Sequence, residues 1–136
     1  MRAVLDPNVV ISGLLSPQGA PAQVLSSWSE GRLEVIVSPL LIEELRRALT
    51  YRKLRRYISA EDGEAAVRWL EAGARRVEDP AGDPPLRSSD HGDDYLVALA
   101  AVQRAALVSG DRHLLELSGT IPVYSPRDFL ELIPHD

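Results

Sequence analysis

The sequence predicts one α/β domain, a parallel sheet with helices on both faces. Three observations carry this. Short apolar runs alternate with amphipathic runs of helical spacing along the whole chain. Two of the junctions between them carry an N-cap residue followed by proline, Asp6-Pro7 and Ser38-Pro39. And 136 residues are enough for one real core but too few for two ordinary domains. Strands that alternate with helices in this way build parallel sheets covered on both sides.

The elements follow in order. "AVL" before Asp6 reads as a short buried strand, and "NVVISGLL" as a helix capped by Asp6 with Pro7 in its first turn, where no donor is needed. "SPQGAP" is a loop, and "AQVLSSWSEG" a helix closed by Gly31 at its C-terminus. "LEVIVS" is a strand. "SPLLIEELRRAL" is a helix capped by Ser38 with an apolar face of Leu41, Leu45 and Leu49. The basic stretch after it continues that helix or forms a bent second piece. "SAEDGEAAVRWLEAGA" is an amphipathic helix with Val67 and Leu70 on its apolar side, and "RRVED" a weak strand. "PAGDPPLRSSDHG" is a loop by its prolines and glycines. "DDYLVALAAVQRA" is a helix opening on two acids, "ALVSGD" a strand ending in a turn, "IPVYS" a last strand and "PRDFLELI" a closing helix.

The chain has no cysteine, which removes disulfides and thiolate metal sites and fits a reducing cytoplasm. The apolar run in "MRAVLD" is far too short for a signal peptide or a membrane span, so the expected location is cytoplasmic, with no membrane partner. A net charge of −5 makes no overall case for nucleic acid. The distribution says more. "RRALTYRKLRRY" holds six cations (Arg46, Arg47, Arg52, Lys53, Arg55, Arg56) and no anion. Such a patch on an acidic chain either is a solvated face or positions a phosphate backbone.

Ligand sites of open parallel sheets lie beyond the carboxyl ends of the strands. Asp6 and Asp111 follow strands directly, and Glu43 and Glu44 sit one turn into the helix after "LEVIVS". Asp93 and Asp94 reach the same rim only if the long loop before them folds back. Each acid also has a purely structural role open to it: Asp6 as cap, Asp93 and Asp94 against the helix dipole, Asp111 in a turn. Gathered together they would repel, some would be forced to bind protons, and a divalent cation would relieve this. Hard oxygen donors with few histidines point to Mg²⁺ or Mn²⁺ rather than zinc. Acids that hold such a metal, with arginines that hold a polymer backbone, make the arrangement a phosphodiester hydrolase needs.

These residues resemble the PIN-domain nucleases. "VLDPNVVISGLL" is similar to the family's opening strand, acid, hydroxyl residue, Asn and helix. "SPLLIEELRRAL" is similar to its second acidic motif, with Glu44-Leu45 as the Glu-Leu pair. "DHGDDYLVALAAVQRAALVSGDRHLL" is similar to its third and fourth motifs. The likeness runs from Arg2 to about Phe129 and is nearest to the toxin components of toxin–antitoxin systems, relatives of VapC-type toxins. It implies a single PIN-like domain over 1–136, a three-layer α/β/α sandwich with a central parallel sheet. It implies Mg²⁺- or Mn²⁺-dependent endonucleolytic hydrolysis of single-stranded RNA, an antitoxin protein as partner, and a homodimer. By motif position Asp6, Glu44, Asp94 and Asp111 carry the metal and the catalysis. Asn8 and Ser109 support them, and Asp93 stands in reserve for Asp94. The arginines and Lys53 of the basic run bind RNA. One departure is Pro7 in place of the hydroxyl residue. It supplies neither hydroxyl nor N–H, which keeps open a second reading, a degenerate PIN domain that binds RNA or protein without cutting.

Other readings lack their signatures. No GxGxxG or P-loop occurs. A receiver domain wants paired acids after its first strand and a lysine near its end, and a haloacid-dehalogenase-type phosphatase wants Asp-x-Asp where this chain has Asp6-Pro7-Asn8. Trp28 and Trp69 read as core or interface aromatics. Tyr51 and Tyr57, flanking the basic run, are the better candidates for stacking on bases.

Overall fold

The computed structural model describes residues 1–81 and 91–134. Most of the loop expected before Asp93, the side chain of His91, and His135 lie outside the described residues. The first strand, β1 (Arg2–Leu5), stops at Asp6 and passes directly into α1 (Pro7–Leu15). After α2 (Ala20–Ser29) comes β2 (Glu34–Val37), then α3 (Pro39–Leu49), the one-turn α4 (Arg52–Arg55) and α5 (Ala60–Gly73). The expected weak strand is the two-residue β3 (Arg75–Arg76). A 3₁₀ turn at His91–Asp93 leads into α6 (Asp94–Gln103), β4 (Ala106–Val108), α7 (Arg112–Leu115), β5 (Val123–Tyr124) and α8 (Pro126–Leu130).

The strands form one sheet, β3-β2-β1-β4-β5, with every pairing parallel. β1 is central: Val4 pairs with Ile36 on one side and with Leu107 on the other. Ala3, Val4, Leu5, Val35, Ile36, Val37, Leu107 and Val108 are all buried, as strands covered on both faces must be. From β1 the chain first steps outward through β2 to β3, then returns across the sheet to β4 and β5. Right-handed crossovers therefore put the two sets of helices on opposite faces. On one face α1 packs on α2 and α3, α2 on α8, and α3 on α5. On the other, α6 lies over β1 and β4, and its run Leu96 to Ala100 is buried without a polar stripe. The α/β/α sandwich predicted from the sequence is the fold.

Local signals explain the boundaries. Asp6 caps α1, its Oδ1 accepting the Asn8 N–H at 2.9 Å, and Ser38 Oγ accepts the Leu41 N–H at the start of α3. Helix α2 ends in a Schellman turn. Gly31 takes φ +80°, its N–H bonds to the Trp28 carbonyl, and the Arg32 N–H bonds to Ser27. At the end of α6 the same left-handed position is held by Arg104 at φ 53°. The basic stretch is a bent second piece: α3 stops at Leu49, and the chain turns at Tyr51 into α4. Trp28 and Trp69 meet edge-on, with centroids 4.7 Å apart, so they are packing aromatics. Among the described residues no helix is long and apolar enough to cross a membrane.

Candidate active site

The reversal of the chain's path between β1 and β4 creates a crevice beyond their carboxyl ends, the place where open parallel sheets bind ligands. Two adjacent strands deliver polar residues there. The Asp6 N–H still bonds to the Val108 carbonyl at 2.9 Å, so Asp6 and Ser109 follow the paired ends Leu5 and Val108 side by side. Ser109, fully buried, donates its hydroxyl to Asp6 Oδ2 at 2.7 Å and accepts the Asp111 N–H at 2.9 Å. Asp111 in turn caps α7, accepting the His113 N–H at 2.7 Å. One hydroxyl thus links the Asp6 carboxylate to the backbone of Asp111, two residues that lie far apart in sequence. Each of those acids has one oxygen engaged by backbone and lone pairs left over.

Asp6 is only 4% exposed. Burial raises its carboxyl above the ordinary range. The Asn8 amide and the Ser109 hydroxyl pull it back, and the charges of Asp111 and Glu44 push it up again. Asp6 therefore feels the charges of Asp111 and Glu44, which come from two other parts of the fold. Asn8, whose amide caps Asp6, is itself exposed. Asp94 is the first residue of α6 and is buried, with Asp93 before it as N-cap. A helix between parallel strands runs antiparallel to them, so the α6 N-terminus sits at the carboxyl edge. The sequence alone left this unresolved.

Two residues of the edge were not anticipated. Asp79, just past β3, accepts the Leu40 N–H with Oδ2 at 2.9 Å and so helps cap α3. Its position after a strand was a usable signal, masked by the weakness of "RRVED". Tyr95 lies next to Asp94, its ring packed against the core. Burial raises its phenol far above the ordinary value, and the charges of Glu44, Asp6, Asp93 and Asp79 add to this. The phenol thus feels acids from four parts of the fold. Tyr95 Oη and Asp79 Oδ1 are buried with no hydrogen-bond partner among the described residues. Nothing in an apolar helix pattern marks such a tyrosine.

Among the described residues, no three acidic or histidine side chains draw together closely enough to close on one ion. A visible reason is Glu44, which faces Arg47 Nη2 at 3.4 Å. The donor chemistry nonetheless fits a hard divalent cation. The donors that the described residues Asp6, Ser109, Asp94 and Asp111 bring there are oxygens, the central carboxylate of Asp6 is buried, and the neighbouring charges of Asp111 and Glu44 weigh on it in a way a cation would relieve.

The structure divides the basic run. Arg46 is held by Glu64 at 2.9 Å and by Glu71 at 3.4 Å, and Arg47 by Glu44 and Glu43. Arg52, Lys53, Arg55 and Arg56 are exposed on and beside α4 and take part in no ion pair among the described residues. Tyr51 and Tyr57 flank them, 52% and 75% exposed. This basic knuckle follows the C-terminal end of α3, a helix about 16 Å long at 1.5 Å per residue, whose N-terminal end sits at the acidic edge.

Comparison with known proteins agrees with this architecture. The profile of the PIN domain family matches residues 2–113. The uncharacterized protein MJ1680 of Methanocaldococcus jannaschii is 23% identical over 141 aligned positions, spanning 96% of this chain and 90% of that protein. VapBC2 from Rickettsia felis, solved bound to a DNA fragment from its promoter, superposes with a TM-score of 0.62 at 13% identity over 92% of this chain and 98% of that one. PAE2754 from Pyrobaculum aerophilum gives 0.62 at 19% identity over 97% and 88%.

Proposed function

The chain belongs to the PIN domain family, and from that premise we propose that it is a Mg²⁺- or Mn²⁺-dependent endoribonuclease that hydrolyses single-stranded RNA in the cytoplasm, the VapC-like toxin of a toxin–antitoxin pair. The observation that carries the reading is the Asp6–Ser109–Asp111 chain of hydrogen bonds at the crevice between β1 and β4. The likeness in fold to VapBC2 supports the toxin assignment. The antitoxin partner and the homodimer belong to this proposal through the family resemblance.

In this reading Asp6, Glu44, Asp94 and Asp111 hold the cation, with Asp93 beside Asp94. A cation held there would supply neutralisation of the carboxylates, activation of water and stabilisation of a departing oxyanion. The chain's own groups do the positioning. Asn8 N–H and Ser109 Oγ fix the two oxygens of Asp6. The β1–β4 ladder fixes where Ser109 stands, and burial of Asp6 keeps bulk water from competing for its carboxylate. Pro7, itself buried, preserves the first turn of α1 and so the aim of Asp6. The exposed cations of the α4 knuckle take up the backbone of the polymer leaving the acidic edge.

Purified protein should cut single-stranded RNA with Mn²⁺ or Mg²⁺ and stop when the metal is chelated. Asp6→Asn and Asp94→Asn should abolish cutting. Asn caps a helix as well as Asp does, so the loss at position 6 reports chemistry rather than folding. Undiminished cutting by these variants would sink the assignment. RNA binding without cutting by the parent would favour the degenerate binding module instead.

A further inference from the structure

We propose that the cleft beside Asp111 holds the unpaired base of a nucleotide flanking the cleaved phosphodiester, so that Ser12 and Gly110 line a nucleoside subsite of the acidic edge. The inference deepens the endoribonuclease reading above and rests on it.

The cleft has a volume of about 300 Å³ and is walled by four parts of the fold. Helix α1 supplies Asn8 and Ser12, four residues apart and so on one exposed face, while Val10 and Ile11 are buried on its other side. Helices α1 and α2 approach closely at Gly13, where a Cβ would meet Leu25 Cδ1 at 2.6 Å and the Ala22 Cα at 3.4 Å. That contact fixes Pro21, the second residue of α2, against α1 as a second wall. Pro126, the first residue of α8, forms a third, held by the packing of α8 on α2. The turn after β4 completes the cleft with Gly110 and Asp111. A Cβ at Gly110 would meet no atom within 4 Å, so this wall opens onto free space.

Two residues join the cleft to the acidic edge. Asp111 belongs to both, its N–H held by Ser109. Asn8 gives its backbone N–H to Asp6, and the residue itself is exposed along the cleft. A phosphodiester bound at those acids therefore has this cleft beside it, and a base hangs one sugar away from its phosphate. The walls suit that base. Proline rings are flat and apolar, and an Asn amide presents two donors and an acceptor, the groups that read the edge of an unpaired base. Among the described residues Asp111 is the only charged group in the lining, so a neutral ring is accepted where a further phosphate would be repelled. A volume at the low end of small-ligand sites, about 300–1,000 Å³, takes one nucleoside rather than a run of polymer. A paired base has its edge occupied and cannot enter, so the subsite selects single strands.

The test uses the full chain, parent, Ser12→Leu and Gly110→Ala, with Mn²⁺ and a short single-stranded RNA. The RNA is either complete or abasic at one nucleotide, tried in turn on each side of the cleaved linkage. Both variants narrow the cleft, from separate walls, and touch none of the acids. Their melting temperatures should match the parent's, because Leu suits an exposed helix position at least as well as Ser and the methyl at 110 meets no atom within 4 Å. On complete RNA each variant should lose about tenfold in kcat/KM, the scale of one base contact. On one of the two abasic RNAs the parent should fall to the same level and the variants no further, the coupling expected of groups in contact. Parent-like cutting by both variants would overturn this inference and leave the ribonuclease reading standing. Equal losses on complete and abasic RNA would overturn it as well, since the base would not be what the cleft holds. A change of oligomeric state in light scattering would give the cleft to a second copy of the chain instead. A parent that cuts no RNA would overturn both readings.

Discussion

Ser109→Ala offers a sharp measure of how the acidic edge is held. The substitution removes the donor to Asp6 Oδ2 at 2.7 Å and the acceptor of the Asp111 N–H at 2.9 Å, at a fully buried position. It creates a void of one oxygen atom. A hydrogen bond to a charged group contributes about 1.5–3 kcal/mol, and part of a second bond is lost with it. The expected destabilisation at neutral pH is therefore about 2–3 kcal/mol. For a chain of this length that is a drop in melting temperature of roughly 6–12 °C. The sign of the pH dependence follows from Asp6. Burial raises its carboxyl in the folded state, so its ionised form burdens the fold, and stability falls as pH rises through that raised value. Ser109 offsets the burden only while Asp6 is charged. The penalty of Ser109→Ala should be full at pH 7 and should shrink toward about pH 4, near the ordinary carboxylate range. Thermal melts of both proteins at the two pH values would measure it. In the endoribonuclease reading, cleavage or metal affinity should also fall about 10–100-fold, as when the support of a ligating side chain is removed. An equal loss at both pH values would show that packing, not the Asp6 charge, was at stake. No loss at pH 7 would refute the reasoning outright.

Further outcomes are expected. Replacing Arg52, Lys53, Arg55 and Arg56 together by Ala should weaken binding of single-stranded RNA and flatten its log–log salt dependence by up to about 3 units. The melting temperature should change little, since these side chains make no ion pair among the described residues. Arg46→Ala should do the reverse, loosening the tie between α3 and α5 made through Glu64 and Glu71 while leaving the salt slope nearly unchanged. Arg104→Gly should raise the melting temperature, because an L-residue at φ 53° carries about 1–2 kcal/mol of strain that glycine relieves, less glycine's own entropic cost of roughly 0.5–1 kcal/mol. Unfolding curves of that variant at or below the parent would contradict the account.

Much of this architecture was legible in the residues. Asp6-Pro7 and Ser38-Pro39 mark helix starts by local chemistry alone, and Gly31 marks a helix end. Alternating strands and helices imply the parallel sheet, and the parallel sheet implies that Asp6 and Asp111 share an edge. Ser109 was readable only through the family motif, since nothing local says that its hydroxyl meets Asp6 across the β1–β4 ladder. The place of Asp94 depended on the direction of α6, which follows from topology rather than pattern. Charge counts alone do not separate Arg46 and Arg47, which hold ion pairs to residues one turn or a whole helix away, from the exposed cations of α4. Tyr95 was invisible because a tyrosine on a buried helix is ordinary until the environment of its oxygen is known.

The sheet order has a consequence for biosynthesis. Ser109 and Asp6 are separated by 103 positions along the chain, and β1 finds its β4 neighbour only after all the residues between them have left the ribosome. Contacts this distant close late, because the intervening loop must be brought together first. A growing chain that still lacks β4 has Asp6 but neither Ser109 to orient it nor Asp111 to join it. The fold thereby delays assembly of its acidic edge until β4 is in place, and in the endoribonuclease reading a growing chain that lacks β4 would leave its own message uncut.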